Sequence, residues 1–351
     1  MKSILAALAF VVSTTAFADY TLIVPQEPGK GTSVWASIIA KHLSPYLGEP
    51  VIVRHIPGAR EIPGFNEFHN KLRNDPKTIM VAHGGNGVSY ILDPVDYDYR
   101  QYDSIGMMNL DIVFGRNKET DLDTGTFKVA GSSGYEPDGA AMAMLLCGPG
   151  KTVDQYIACF KERVVWVTGA KGNEKRLMFL RGEVNTTRES PSAWIKFFTG
   201  EKADPKNVIW FTHGIYDLQN KKQIPDPNFP GTQFEDVFKQ RWGVAPSGDL
   251  YNAYRLTRNW RDVLQKSLWV NKGNPNTEKL RKALREMLSN PEVVKEIEAK
   301  TGKYPWIIGE DGNAVIAELY KLITEPALKT AVRWNKEAYG FPSVYKPELL
   351  K

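Results

Sequence analysis

The sequence predicts an α/β protein of two lobes, each built on a mixed, mostly parallel sheet flanked by helices. Three observations carry that prediction. Short β-rich runs alternate with helical periods in the first third and again in the middle third, as in βαβ units. In both stretches glycine-bearing loops stand where strands feed helices. The chain is 351 residues long, enough for two domains at roughly 100–200 residues each.

The elements follow in order. Tyr20–Val24 is a β-rich run that Pro25 stops. A loop, Gln26-Glu27-Pro28-Gly29-Lys30-Gly31, leads to Thr32 or Ser33 as the cap of a helix with Val34, Ile38, Ile39 and Leu43 on its apolar face. Strands are expected over 51–53 and 78–82, a helix over 65–72, and a loop at His83-Gly84-Gly85-Asn86-Gly87. In the middle third, a strand over 127–131 leads to the loop Ser132-Ser133-Gly134-Tyr135 and a helix from Asp138. A buried strand over 164–167 leads through Thr168-Gly169-Ala170-Lys171-Gly172 to a helix ending at Leu180. The last third is helical. Leu280, Ala283, Leu284 and Met287 share one face, Pro291 opens the next helix and Gly302 ends it. Residues 221–230 are Pro-rich and read as an ordered surface excursion.

The N-terminus joins a basic start (Lys2), an apolar run over 4–12 and a small-x-small end at Ala16-Phe17-Ala18. Those are the three parts of a secretory signal peptide, with cleavage expected after Ala18 and export to the periplasm. In an exported chain Cys147 and Cys159 are free to pair, and Gly148-Pro149-Gly150 between them is a turn that folds two short helices together. A composition of 42% hydrophobic and 24% charged residues excludes a disordered chain, a coiled coil and a polytopic membrane protein. The net charge of +5 is too small a surplus to argue for nucleic acid.

Motifs for catalysis are missing. Gly148-Pro149-Gly150-Lys151-Thr152 resembles the end of a phosphate-binding loop, but the glycine required five residues before Gly150 is Leu145. Gly131-Ser132-Ser133-Gly134 has the wrong spacing for a nucleophile elbow. The five histidines show no ligand spacing, so neither metal nor cofactor is expected. The loop 26–31 is different. Glycines expose its backbone N–H groups, the helix start beyond adds roughly half a positive charge, and Lys30 adds a full one, which together make an anion site.

Ile23-Val24-Pro25, the Gly-bearing loop, Thr32, and Leu47-Gly48-Glu49-Pro50-Val51-Ile52-Val53 resemble the opening of the substrate-binding receptors of tripartite tricarboxylate transporters. Pro57-Gly58-Ala59, Gly131-Ser132-Ser133-Gly134, Lys171-Gly172, the stretch from Leu180 to Asn185, and Asn290-Pro291-Glu292-Val293 are similar to that family's later motifs, in order. The resemblance implies a two-lobed periplasmic binding protein fold (type II-like), with crossing strands between the lobes. It implies hinge closure on a small organic carboxylate and delivery to membrane permease subunits. On that reading the protein is a monomer and not an enzyme. Lobe one is expected at 19–115 plus 269–351 and lobe two at 116–268. Ligand contacts are expected at Lys30, Gly31, Thr32 and Ser33 in lobe one, with His83 and Asn86 nearby, and at Ser132, Ser133, Gly134, Tyr135 and Lys171 in lobe two, with Asn185 behind. Ser33 and Asn185 replace the family's aspartates, and Lys30 is a departure; fewer carboxylates and an added cation favour an anionic ligand. Two other roles share these features: a ligand-sensing partner of a membrane sensor kinase, and a periplasmic hydrolase or isomerase.

Overall fold

The computed structural model describes residues 19–131, 137–170, 172–201 and 203–351. The expected signal peptide and the candidates Ser132, Ser133, Gly134, Tyr135 and Lys171 lie outside the described residues. Among the described residues no helix is long and apolar enough to cross a membrane.

The strands, in chain order, are β1 (Tyr20–Val24), β2 (Val51–His55), β3 (Thr78–Ala82), β4 (Tyr102–Met108), β5 (Val113–Asn117), β6 (Phe127–Ala130) and β7 (Val164–Val167). They continue with β8 (Thr186–Glu189), β9 (Asn207–Thr212), β10 (Ile215–Asp217), β11 (Lys222–Ile224), β12 (Lys266–Asn271) and β13 (Trp306–Ile308). One sheet has the order β13-β4-β12-β3-β1-β2 and the other β7-β6-β8-β5-β9, while β10 and β11 form a separate hairpin. Parallel pairing is confined to the strand–helix units, β1 with β2 and β3, and β6 with β7 and β8. The strands that cross between sheets or return to them run antiparallel: β12 and β13 in the first, β5 against β8 and β9 in the second. Each sheet is therefore more evenly mixed than the mostly parallel expectation.

The first sheet is covered on both faces. Trp35, Ile39 and Leu43 of the helix Gly31–Leu47 pack with Leu280, Leu284 and Met287 on one side. On the other, Phe65, Phe68, Tyr90, Tyr97, Tyr99 and Trp260 form an aromatic core, with Phe65 and Tyr97 stacked at 4.2 Å. That core absorbs much of the high aromatic content; each such burial contributes roughly 1.5–3 kcal/mol. The second sheet packs Phe114, Phe127, Trp210 and Phe211 against the helix Asp138–Cys147. Thr152 and Gln155 form a capping box that starts the helix Val153–Arg163, and a Cys147–Cys159 disulfide ties the two helices together.

The chain passes from the first sheet to the second through residues 109–112 and leaves β9 through His213 and Gly214. The expected boundaries at 115/116 and 268/269 fall inside β5 and β12, and a strand cannot be divided between two sheets. The helix Asp249–Asp262 serves both sides, with Ala253, Leu256 and Trp260 in the first core and Leu250 and Tyr254 in the second.

Two local expectations are corrected. Residues 83–87 are not a loop: His83 caps the helix Gly84–Leu92, and Asn86 returns its Oδ1 to the His83 N–H at 3.0 Å. Glycine is needed there because a Cβ on Gly87 would run into the carbonyl oxygen of Trp260. The helix predicted over 65–72 begins earlier, at Ile62, and widens into a π-turn over Phe68–Leu72.

Candidate functional site

Between the two sheets lies a cleft of about 800 Å³, the size of a small-molecule site. One wall is the loop after β1, with Gln26, Lys30, Gly31 and Thr32, together with Glu61 and His83. Facing it are Asn173, Glu174 and Lys175 at the start of the helix Gly172–Leu180, and Arg188, Ser190 and Pro191 at the end of β8. Leu110, Asp111 and Ile112 of the first crossing lie between, and Arg261, Gln265, Lys266, Lys300 and Thr301 complete the lining.

The first wall is built by a chain of hydrogen bonds. The helix begins at Gly31 with Lys30 at the cap position, and Lys30 makes no side-chain cap. Neither Thr32 nor Ser33 caps it as expected, because both side chains are engaged elsewhere. Thr32 Oγ1 accepts from Lys266 Nζ at 2.6 Å, and Ser33 Oγ lies 2.8 Å from His55 Nε2 at the end of β2. The capping role passes to Gln26, whose Oε1 accepts the Thr32 N–H at 3.2 Å while its Nε2 donates to Glu61 Oε1 at 2.5 Å. Glu61 Oε2 lies 2.6 Å from His83 Nδ1, and Asn86 Nδ2 donates to the Glu61 carbonyl at 2.9 Å. Arg60 and Glu61 hold φ of 54° and 64°. Such left-handed non-glycine residues cost on the order of 1–3 kcal/mol each and are found where a site over-determines the backbone.

Lys266 is the group that sequence reasoning missed. Only 7% of it is exposed, yet it lines the cleft. Burial outweighs the nearby Glu61 carboxylate, and the Arg261 charge adds to it, pushing the ammonium down to about 7. Burial likewise keeps His83 below its ordinary value despite Glu61. At neutral pH the wall therefore holds a neutral imidazole beside an amine poised between charged and uncharged. Among the described residues, the lining carries the cations Lys30, Lys175, Arg188, Arg261, Lys266 and Lys300 against the acidic side chains Glu27, Glu61, Asp111 and Glu174, and burial, with the nearby Asp226, pushes Asp111 up to about 8. Its surplus is positive, and the deepest of these cations come from β8, β12 and the helix before β12.

The expected residues divide. Lys30, Gly31, Thr32 and His83 meet in the cleft. Asn86 stands behind His83, and Ser33 turns toward β2. Asn185 does not line the cleft: its Oδ1 accepts the Lys128 N–H at 2.7 Å and its Nδ2 donates to the Thr126 carbonyl at 2.9 Å. An amide so placed pins the start of β6. Lys30 is 44% exposed and pairs with Glu27 at 3.4 Å. Lys30→Ala is therefore expected to weaken anion binding less than about fivefold, with the loss shrinking in salt; calorimetry at low and high ionic strength checks this.

No family model and no curated protein matches the chain. Solved structures do. A TctC solute-binding protein from Polaromonas superposes with a TM-score of 0.55 at 16% identity, over 90% of this chain and 99% of that one. The periplasmic binding protein BugD gives 0.57 at 15% identity, over 90% and 98%. MatC from Rhodopseudomonas palustris, solved with bound malate, gives 0.51 at 14% identity, over 91% and 98%. The chain has the two-lobed fold of the periplasmic solute-binding proteins.

Proposed function

We propose that this protein is an exported, non-enzymatic receptor that captures a small organic carboxylate between its lobes and delivers it to the membrane permease of a tripartite tricarboxylate-type transporter. The observation that carries the proposal is the cleft between the sheets, walled by buried cations from both sides. A carboxylate is the simplest small ligand that uses Lys266 on one wall and Arg188 on the other. The malate in the MatC structure supports the same ligand class. The two lobes, one on each sheet, close about the crossings at 109–112 and 213–214. A ligand favours closure only through contacts it lacks in the open state. Export follows from the N-terminal pattern, and the protein acts as a monomer.

The test is native mass spectrometry of the purified protein, followed by calorimetry with malate. One bound carboxylate per chain, displaced by malate with 1:1 stoichiometry, is the expected result. A protein that releases no carboxylate and binds no malate at millimolar concentration would overturn the reading.

A further inference from the structure

Residues 213–233 leave the second sheet, dock on the first and return. The stretch starts from the end of β9 and comes back beside it, where the Thr212 N–H donates to the Thr232 carbonyl at 2.6 Å and Gln233 precedes the helix Phe234–Trp242. Its tip is the hairpin β10–β11, with Ile215 opposite Ile224. Tyr216 and Leu218 pack with the aromatic core on one face of the first sheet, and Ile215 and Ile224 with the core on the other. Asn109 of the first crossing accepts the Tyr216 N–H on its Oδ1 at 2.9 Å and donates from its Nδ2 to the Tyr216 carbonyl. Lys221 pairs with Glu318 at 3.0 Å.

The return is short and stiff. Asp226 is fully buried, and its Oδ2 accepts the Tyr304 hydroxyl at 2.6 Å, just before β13 of the first sheet. Its Oδ1 accepts from the Asn228 N–H and Nδ2, each at 2.8 Å, and the Phe229 N–H donates to the Asp226 carbonyl at 3.0 Å, closing a turn. Phe229, at the far end of that turn, is buried with Val113, Trp194 and Phe198 of the second sheet and its helices. One turn thus has a foot on each half of the molecule. Pro225, Pro227 and Pro230 fix φ along it, which leaves the link little slack.

We infer that residues 213–233 are a strap that limits how far the two lobes part, and that the hydrogen bond from Tyr304 to Asp226 is its clasp. This rests on the reading of two lobes that close about the crossings and adds a third link between them. Both roots of the strap are fixed to the second sheet and its tip to the first. Turning one lobe away from the other must therefore deform the strap or undo one of its contacts. The tip is held by buried apolar side chains and by the paired bonds to Asn109, which are costly to break together. The clasp is one hydrogen bond, close in the chain to Lys300 and Thr301 of the cleft lining, and it is the contact that gives way first. A buried hydrogen bond to a carboxylate weights an equilibrium roughly 10- to 100-fold. The Pro-rich stretch that reads in the sequence as a surface excursion is on this view a mechanical part of the receptor.

Double electron–electron resonance on the ligand-free protein tests this. Spin labels go on Lys282→Cys and Arg181→Cys, exposed positions on the first and second lobes; the Cys147–Cys159 disulfide leaves only introduced cysteines to take them. Tyr304→Phe and Asp226→Asn keep the side-chain volumes and undo the clasp. In each, the ratio of parted to closed lobes is expected to rise about tenfold or more over the labelled parent. A second pair, Lys282→Cys with Lys71→Cys, lies within the first lobe and is expected to keep its distance. Should a single variant not fold because it leaves a buried partner unpaired, the double variant removes both partners and the same shift is expected of it. An inter-lobe distribution unchanged by these variants overturns the strap. So does a broadening of both pairs alike, which is loosening of the fold and not release of a link. No ligand enters the measurement, so its failure leaves the receptor reading standing, and a protein that binds no carboxylate would leave the strap standing.

Discussion

Lys266→Met is expected to weaken malate binding about 30- to 100-fold at pH 6 and to abolish most of its pH dependence above neutrality. Methionine keeps the length and apolar packing of the stem and removes only the charge. A charge-assisted hydrogen bond of roughly 1.5–3 kcal/mol corresponds to about 10- to 100-fold, and burial of Lys266 places it at the upper end. The sign of the pH effect follows from its lowered pKa. In the free protein Lys266 titrates at about 7, down from 10.5, because burial disfavours the ammonium. A bound carboxylate favours the ammonium and raises that value. Below pH 7 the lysine is charged in both states and binding takes up no proton. Above pH 7 binding takes up a proton, so wild-type affinity falls by up to about tenfold per pH unit until the bound-state pKa is reached. The groups that face Lys266 are Thr32, Glu61 and Arg261. Burial holds neighbouring His83 below its ordinary value, despite Glu61. Calorimetry from pH 6 to 9, in buffers of different ionisation enthalpy, counts the protons. A Met variant with wild-type affinity and wild-type slope would rule Lys266 out as a ligand contact.

Asp138→Ala is expected to cost about 3–5 kcal/mol of stability, because it leaves His213 and Arg188 without their shared carboxylate inside the protein. Burial tends to raise Asp138, but the charges of Arg188 and His213 overcome it and hold the carboxyl well below its usual range. Burial likewise opposes the charge on His213, and Asp262 and Asp138 outweigh it, pushing the imidazole up to about 9. The folded chain thus keeps a proton that the unfolded chain releases near 6.5. This contribution to stability is fully present below about pH 6.5 and is lost as pH rises through 9. The gap between wild type and Asp138→Ala should therefore be widest in mildly acidic buffer and narrow toward pH 9. Urea unfolding at pH 6 and pH 9 measures it, with Glu27→Ala at the exposed Lys30 pair as a control expected to change little. An unfolding midpoint unchanged by Asp138→Ala would mean that this buried carboxylate contributes nothing to the fold.

The regular elements were legible where the local pattern is strong. β1 and β3 are apolar runs ended by Pro25 and His83, and the helix Thr277–Leu288 shows its buried stripe at Leu280, Leu284 and Met287. The crossing strand β5 was not, since its five residues include a glycine, an arginine and an asparagine and make no alternating pattern. The helix at 84–92 escaped notice because its first residues are Gly84, Gly85 and Gly87, poor helix formers by propensity. The close approach of Trp260 favours glycine there, and that approach is a tertiary fact.

By itself the sequence determined the alternation of strand and helix, the loop after β1 with Lys30, Gly31 and Thr32, and the proximity of Cys147 to Cys159. Each of these rests on residues close in the chain, whose geometry is local. The tertiary structure alone decided which charges face the cleft. Lys266 meets Thr32 across 234 positions of chain, and His213 meets Asp262 across 49. Nothing near Lys266, Arg188, Arg261 or His213 in the sequence marks it apart from the other basic residues. Their chemistry comes from burial and from partners brought up by the crossing of two sheets, and an interaction between charges depends on their distance in space and their exclusion from water, neither of which sequence spacing encodes.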